Sequence, residues 1–125
     1  MTLPATEQAV PAARHWIADE LMGAESATSE LAQLLTSELV ANAVLYGMGT
    51  EVRVRMGVVD ADLLIEIWDA NPVDPQLQVR DLTSTSGRGL KIVDALADQW
   101  GCSHRGTGKW VWFRINMATP KTSGS

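Results

Sequence analysis

The chain is poor in cysteine, in aromatic rings other than tryptophan and, over its first part, in positive charge. Among 125 residues there is one Cys, one Phe and one Tyr. The lone Cys102 excludes an internal disulfide framework and a cysteine-rich zinc site. No apolar run approaches the ~20 residues that span a bilayer. The start, Met1-Thr2-Leu3-Pro4, lacks the basic-then-apolar pattern of an export signal. The expectation is a cytoplasmic protein that does not engage a membrane. Residues 1–50 hold six acidic groups against one basic group, Arg14, whereas residues 51–125 hold nine of each. The net charge of −5 therefore sits in the N-terminal part. Nucleic-acid binding wants a basic stripe, so that class is set aside. The acidic part reads either as a solvated helical face or as a docking surface for a basic protein.

What is present is ordinary for a globular protein: 46% hydrophobic and 20% charged residues. Disorder is excluded by that balance. The length suits one domain, expected over residues 1–118, with 119–125 a disordered polar tail.

Val10, Ala13, Ile17 and Leu21 recur at helical spacing, which predicts a helix over 8–22 with Gly23 as its stop. A second helix is predicted over about 28–46, started by Ser26, Thr28 or Ser29 and ended at Gly47. Alternation over 51–59 and 62–69, with Asp60-Ala61 between, predicts an antiparallel hairpin. Residues 70–86 read as a long loop of the kind that forms lids. Gly87-Arg88-Gly89 then opens a helix through about Gln99. Strands near 100–105 and over 109–117 complete an α+β two-layer sandwich, mainly antiparallel, with the helices on one face.

Three polar sites interrupt this pattern. On a helical wheel Leu31, Leu34, Leu35 and Leu45 form an apolar stripe, and Glu38 and Asn42 fall within ~40° of its centre. The two are i,i+4 neighbours and stack on one face. A carboxylate there costs several kcal/mol unless it is compensated. It either snorkels or pairs with an Arg, or else it joins Asn42 as an oxygen donor to hydrated Mg²⁺ or a polarised water. Asp69 follows Leu63, Ile65 and Ile67 on the same strand face. It is either a turn cap before Asn71-Pro72 or a buried acceptor for an exocyclic amine. Gly87-Arg88-Gly89-Leu90 combines backbone N–H groups at a helix start with a bidentate donor, a combination that suits phosphate. Gly106-Thr107-Gly108-Lys109 is not a phosphate loop, since neither a Ser or Thr nor a helix follows Lys109.

In their order the three sites resemble the GHKL ATP-binding superfamily, and within it the RsbW-like bacterial anti-sigma-factor serine/threonine kinases. The resemblance is carried by Ser37-Glu38-Leu39-Val40-Ala41-Asn42-Ala43-Val44, by Trp68-Asp69-Ala70-Asn71-Pro72, by the run from Gly87 to Asp98, and by Gly108-Lys109-Trp110-Val111-Trp112-Phe113. It spans about residues 3–117. It implies a Bergerat-type ATP-binding fold, with ATP and Mg²⁺ as cofactors. It further implies Glu38 as general base, Asn42 as Mg²⁺ ligand and Asp69 as acceptor from the adenine amine. Pro72, Gly87, Arg88, Gly89 and Leu90 would line the nucleotide, and 73–86 would be its lid. The implied partners are a sigma factor and a STAS-type anti-sigma-factor antagonist, with the protein a homodimer. Trp110 stands where the family usually carries Thr.

Strand parity places Leu64, Trp68, Trp110 and Trp112 on the sheet face away from the helices, among Arg53, Arg55, Glu66 and Arg114. Such a face is either an interface or a set of rings covered by arginine. His15 reads as a partly exposed helical residue, and Cys102 as a small buried one without chemistry.

Overall fold

The computed structural model describes residues 1–74 and 85–117, with the side chains of 85–88 and 105 outside that description. Its elements run β1 (Thr2–Pro4), α1 (Ala9–Glu20), α2 (Ser26–Tyr46), β2 (Glu51–Val59), β3 (Asp62–Asp69), α3 (Thr85–Leu96), β4 (Gln99–Arg105) and β5 (Gly108–Asn116). The strands form one five-stranded sheet in the order β1-β2-β3-β5-β4, and every pairing is antiparallel. Asp60 and Ala61 close the β2–β3 hairpin as the alternation predicts, with Asp60 at φ 57°. Asp tolerates that left-handed conformation better than most residues do. No helix among the described residues is long and apolar enough to cross a membrane.

Alternation in the strands puts one apolar row toward the helices. Val52, Val54, Leu63, Ile65, Ile67, Val111, Phe113 and Ile115 are buried there. Ala13 and Ile17 of α1, Leu35, Leu39 and Val40 of α2, and Leu90 and Val93 of α3 join them in one cluster. Helix α2 packs against both other helices and the sheet. Its buried residues are Ala32, Leu35, Thr36, Ser37, Leu39, Val40 and Ala43.

That list corrects the helical-wheel reading. The buried stripe lies about a third of a turn round from the leucine stripe, and Leu45 at its end is 57% exposed. Small residues carry the close packing between layers, so leucine content alone misplaces the face. Glu38 and Asn42 consequently stand on the border of the core, each half-buried.

Three boundaries also differ. Strand β1, absent from the sequence reading, pairs with β2 through Leu3 opposite Val52. Glu25 occupies the N-cap of α2 without a side-chain cap bond, in place of a Ser or Thr. Helix α3 begins at Thr85, two residues before the expected opening at Gly87, and it ends at Leu96, short of Gln99, where β4 starts. Gly47 does end α2, though with φ −68° it takes no left-handed conformation. It is required for space: a Cβ there would lie 2.3 Å from the Ala43 carbonyl oxygen and 3.1 Å from Asp69 Cβ.

The opposite sheet face holds the tryptophans that parity placed there. The Arg53 guanidinium sits 4.3 Å from the Trp68 ring centroid and that of Arg55 sits 3.8 Å from Trp110. Both rings are half-buried under cation–π contacts. The Trp112 indole lies against Gly101, where a Cβ would approach its ring to 2.7 Å. Arginine cover is thus observed for two of the three rings.

Candidate functional site

Helix α2 presents Glu38 and Asn42 one turn apart. Among the described residues neither side chain has a hydrogen-bond or ion-pair partner. The arginine pairing that would neutralise Glu38 structurally is therefore not seen there. Facing them is Gly89 of α3. A Cβ on Gly89 would stand 3.1 Å from Glu38 Oε1 and 3.6 Å from Asn42 Oδ1. Glycine thus brings the first turns of α3 against the carboxylate–amide pair. Gly87 and Arg88 fall in the first turn, where backbone N–H groups lack intrahelical acceptors. The positive end of the helix dipole lies there as well.

Farther along α2, about 7–8 Å from Asn42 by helical rise, Gly47 packs against Asp69 at the end of β3. Asp69 is 5% exposed. Its Oδ1 accepts from the Asn71 backbone N–H at 2.8 Å and from the Lys109 ammonium at 2.9 Å. Among the described residues no hydrogen bond falls on Oδ2. Lys109 also donates to the Asn71 carbonyl at 2.8 Å. Asn71 in turn donates through Nδ2 to the Tyr46 carbonyl and accepts from the Val73 N–H. The turn-capping role of Asp69 is thus observed through Oδ1, which leaves Oδ2 without a hydrogen bond among the described residues.

Of the residues expected at the site, Glu38 and Asn42 face Gly89, and Asp69 lies beside Gly47 at the end of α2. Pro72 is exposed beyond the Asn71 turn. Leu90 is 2% exposed and packs into the core, so it faces the cleft with backbone only. The Arg88 side chain and lid residues 75–84 lie outside the described residues, as does the tail from 118. Lys109 was missed as a partner of Asp69. Its signal was available: Lys109 shares parity with Val111, Phe113 and Ile115, and a Lys on a core-facing row needs a buried acid. Also missed was a second group. Asp74 accepts from Cys102 Sγ at 3.9 Å and pairs with His104 Nε2. The pKa of the Cys102 thiol is raised, first by burial and then by Asp74, with Lys109 opposing and Asp69 adding to the rise.

The donors fit a nucleotide with its metal. Glu38 and Asn42 supply free oxygen ligands of the hard type that Mg²⁺ takes. The start of α3 supplies N–H groups for phosphate. Asp69 Oδ2 supplies a buried acceptor. An antiparallel five-stranded sheet, helices on one face and this cleft edge together define the GHKL class of ATP-binding domain.

Residues 3–115 match the family model described as the histidine kinase-like ATPase domain, and the chain belongs to that family. Membership implies ATP binding. Among solved structures, the RsbU and RsbW domains of Rv1364c from Mycobacterium tuberculosis superpose with a TM-score of 0.68 at 18% identity, over 100% of this chain and 34% of that one. The catalytic domain of the histidine kinase ThkA gives a TM-score of 0.56 at 11% identity, over 94% of this chain and 95% of that one. The Acinetobacter baumannii histidine kinase AdeS gives 0.54 at 20% identity, over 73% and 48%. The chain thus spans half or less of the length of AdeS and Rv1364c. At such identities these likenesses speak for the fold. No curated protein is significantly similar in sequence.

Proposed function

We propose that the chain is an ATP- and Mg²⁺-dependent regulatory serine/threonine protein kinase of the partner-switching kind. In this reading it sequesters a sigma factor in the cytoplasm, as an anti-sigma factor, and phosphorylates a STAS-type antagonist of that sequestration. The observation that carries the reading is the Glu38–Asn42 pair, unpartnered among the described residues and set against Gly89 at the start of α3. The likeness to a structure containing an RsbW domain supports it.

Glu38 accepts the proton of the substrate hydroxyl as its oxygen attacks the γ-phosphorus and ADP departs. Asn42 Oδ1 would hold the metal, which when bound would neutralise charge on the phosphates. The N–H groups of Gly87 and Arg88 hold phosphate oxygens. Asp69 Oδ2 accepts from the adenine amine while Lys109 fixes Oδ1. The arginine-flanked tryptophan face serves as the homodimer surface in the same reading. The direct test is titration with ATP and Mg²⁺, followed by mass spectrometry of a co-incubated STAS-type antagonist. A phosphate adduct on its Ser or Thr is the expected result, and its absence with every such antagonist of the source organism counts against a kinase.

A second reading keeps ATP binding and partner switching without phosphotransfer. ATP binding with no adduct selects this reading.

A further inference from the structure

Cys102 and His104 are two residues apart on β4, the outermost strand, and so project from the same face. In register they oppose Val111 and Lys109 of β5. Asp74, just beyond the Asn71 turn that ends β3, reaches across β5 to both. The donor atoms of the three residues all lie within 4.8 Å of one another. We propose that Asp74, Cys102 and His104 form a three-ligand zinc site, with water in the fourth position, which ties the chain after β3 to the edge strand.

The donor set decides the metal. A soft thiolate, a borderline imidazole and a hard carboxylate form a mixed donor set that suits the borderline ion Zn²⁺, whereas Mg²⁺ and Ca²⁺ take oxygen donors alone. The oxygen pair Glu38 and Asn42 is therefore a different site for a different ion. Two ligands at ~2.0–2.3 Å from a tetrahedral zinc stand about 3.3–3.8 Å apart, close to the 3.9 Å between Cys102 Sγ and Asp74 Oδ1, so small side-chain rotations bring the three donors onto one ion. Cys102 Sγ and His104 Nε2 both converge on Asp74 Oδ1. Zinc displaces the thiol proton outright. Two carboxylates, Asp74 and Asp69, lie near the group, and the nearby cation Lys109 is ion-paired to Asp69. His104 and Asp74 have side chains 50% and 65% exposed, which leaves an entry path and room for water.

This inference is independent of the nucleotide reading, and protein that fails to bind ATP still tests it. The test uses the full, untagged chain. Zinc is titrated in competition with a chromophoric chelator, and Co²⁺ is bound separately as a spectroscopic probe. The expected result is one zinc per chain, undisplaced by excess Mg²⁺. Cys102→Ser, His104→Gln and Asp74→Asn each weaken it about tenfold or more, since even outer-shell changes cost 10–100-fold. The Co²⁺ form shows a sulfur-to-cobalt charge-transfer band that Cys102→Ser abolishes. His104→Gln and Asp74→Asn alter exposed side chains, so they report on the metal even if Cys102→Ser disturbs packing. Failure to hold zinc against the chelator, or zinc affinity unchanged in His104→Gln and Asp74→Asn, overturns the site.

Discussion

The ammonium of Lys109 lies 2.9 Å from Asp69 Oδ1, with both side chains less than a tenth exposed. Opposed in the β3–β5 register, the two residues end the core-facing rows of their strands. A buried pair contributes little relative to an apolar substitute of the same shape, yet breaking it strands a charge. Lys109→Met therefore destabilises the fold by about 3–5 kcal/mol in urea unfolding. Combining it with Asp69→Asn costs less than the sum of the two single changes, because the stranded charge is gone. A loss of under ~1 kcal/mol, the scale of an exposed pair, contradicts the burial argument.

Two glycines on the cleft give opposite expectations. At Gly89 an added Cβ meets the mobile end of Glu38 at 3.1 Å. Gly89→Ala then holds or raises stability, since Ala gains roughly 0.5–1 kcal/mol over Gly inside a helix. The displaced Glu38 lowers phosphotransfer. At Gly47 the Cβ meets backbone, 2.3 Å from the Ala43 oxygen. Backbone must move, so Gly47→Ala destabilises by about 1–3 kcal/mol. Thermal melts of both variants check the contrast, and a Gly89→Ala protein with full phosphotransfer breaks the link to Glu38.

The sheet's far face offers a third test. Trp112 rests on Gly101, while Trp68 and Trp110 lie under Arg53 and Arg55. If that face joins two copies, Trp112→Glu shifts the protein to monomer in sedimentation without unfolding it. Wild-type protein that sediments as a monomer removes the homodimer.

Much of this was legible in sequence because periodicity reports which way a residue points. Alternation alone placed Val52, Ile65, Phe113 and the three tryptophans on their correct faces. The sequence order also singled out Glu38, Asn42 and Gly89, which the fold sets side by side. What escaped depended on contacts between elements distant in sequence. Cys102 looked inert because Asp74 meets it across 28 residues of chain. Strand β1 is three residues long, too short for alternation to register. The apolar stripe of α2 was misplaced because Ala32, Thr36 and Ala43 do the packing there, and composition ranks them below leucine.

The central claim is that Glu38 is a base held beside bound ATP. Glu38→Gln keeps the shape of the side chain and removes its ability to take a proton. ATP affinity and phosphotransfer to the antagonist, measured together on this variant, give the most direct test. The account predicts nearly unchanged ATP affinity with phosphotransfer reduced by roughly 10²–10⁴-fold. Wild-type phosphotransfer by Glu38→Gln would contradict it.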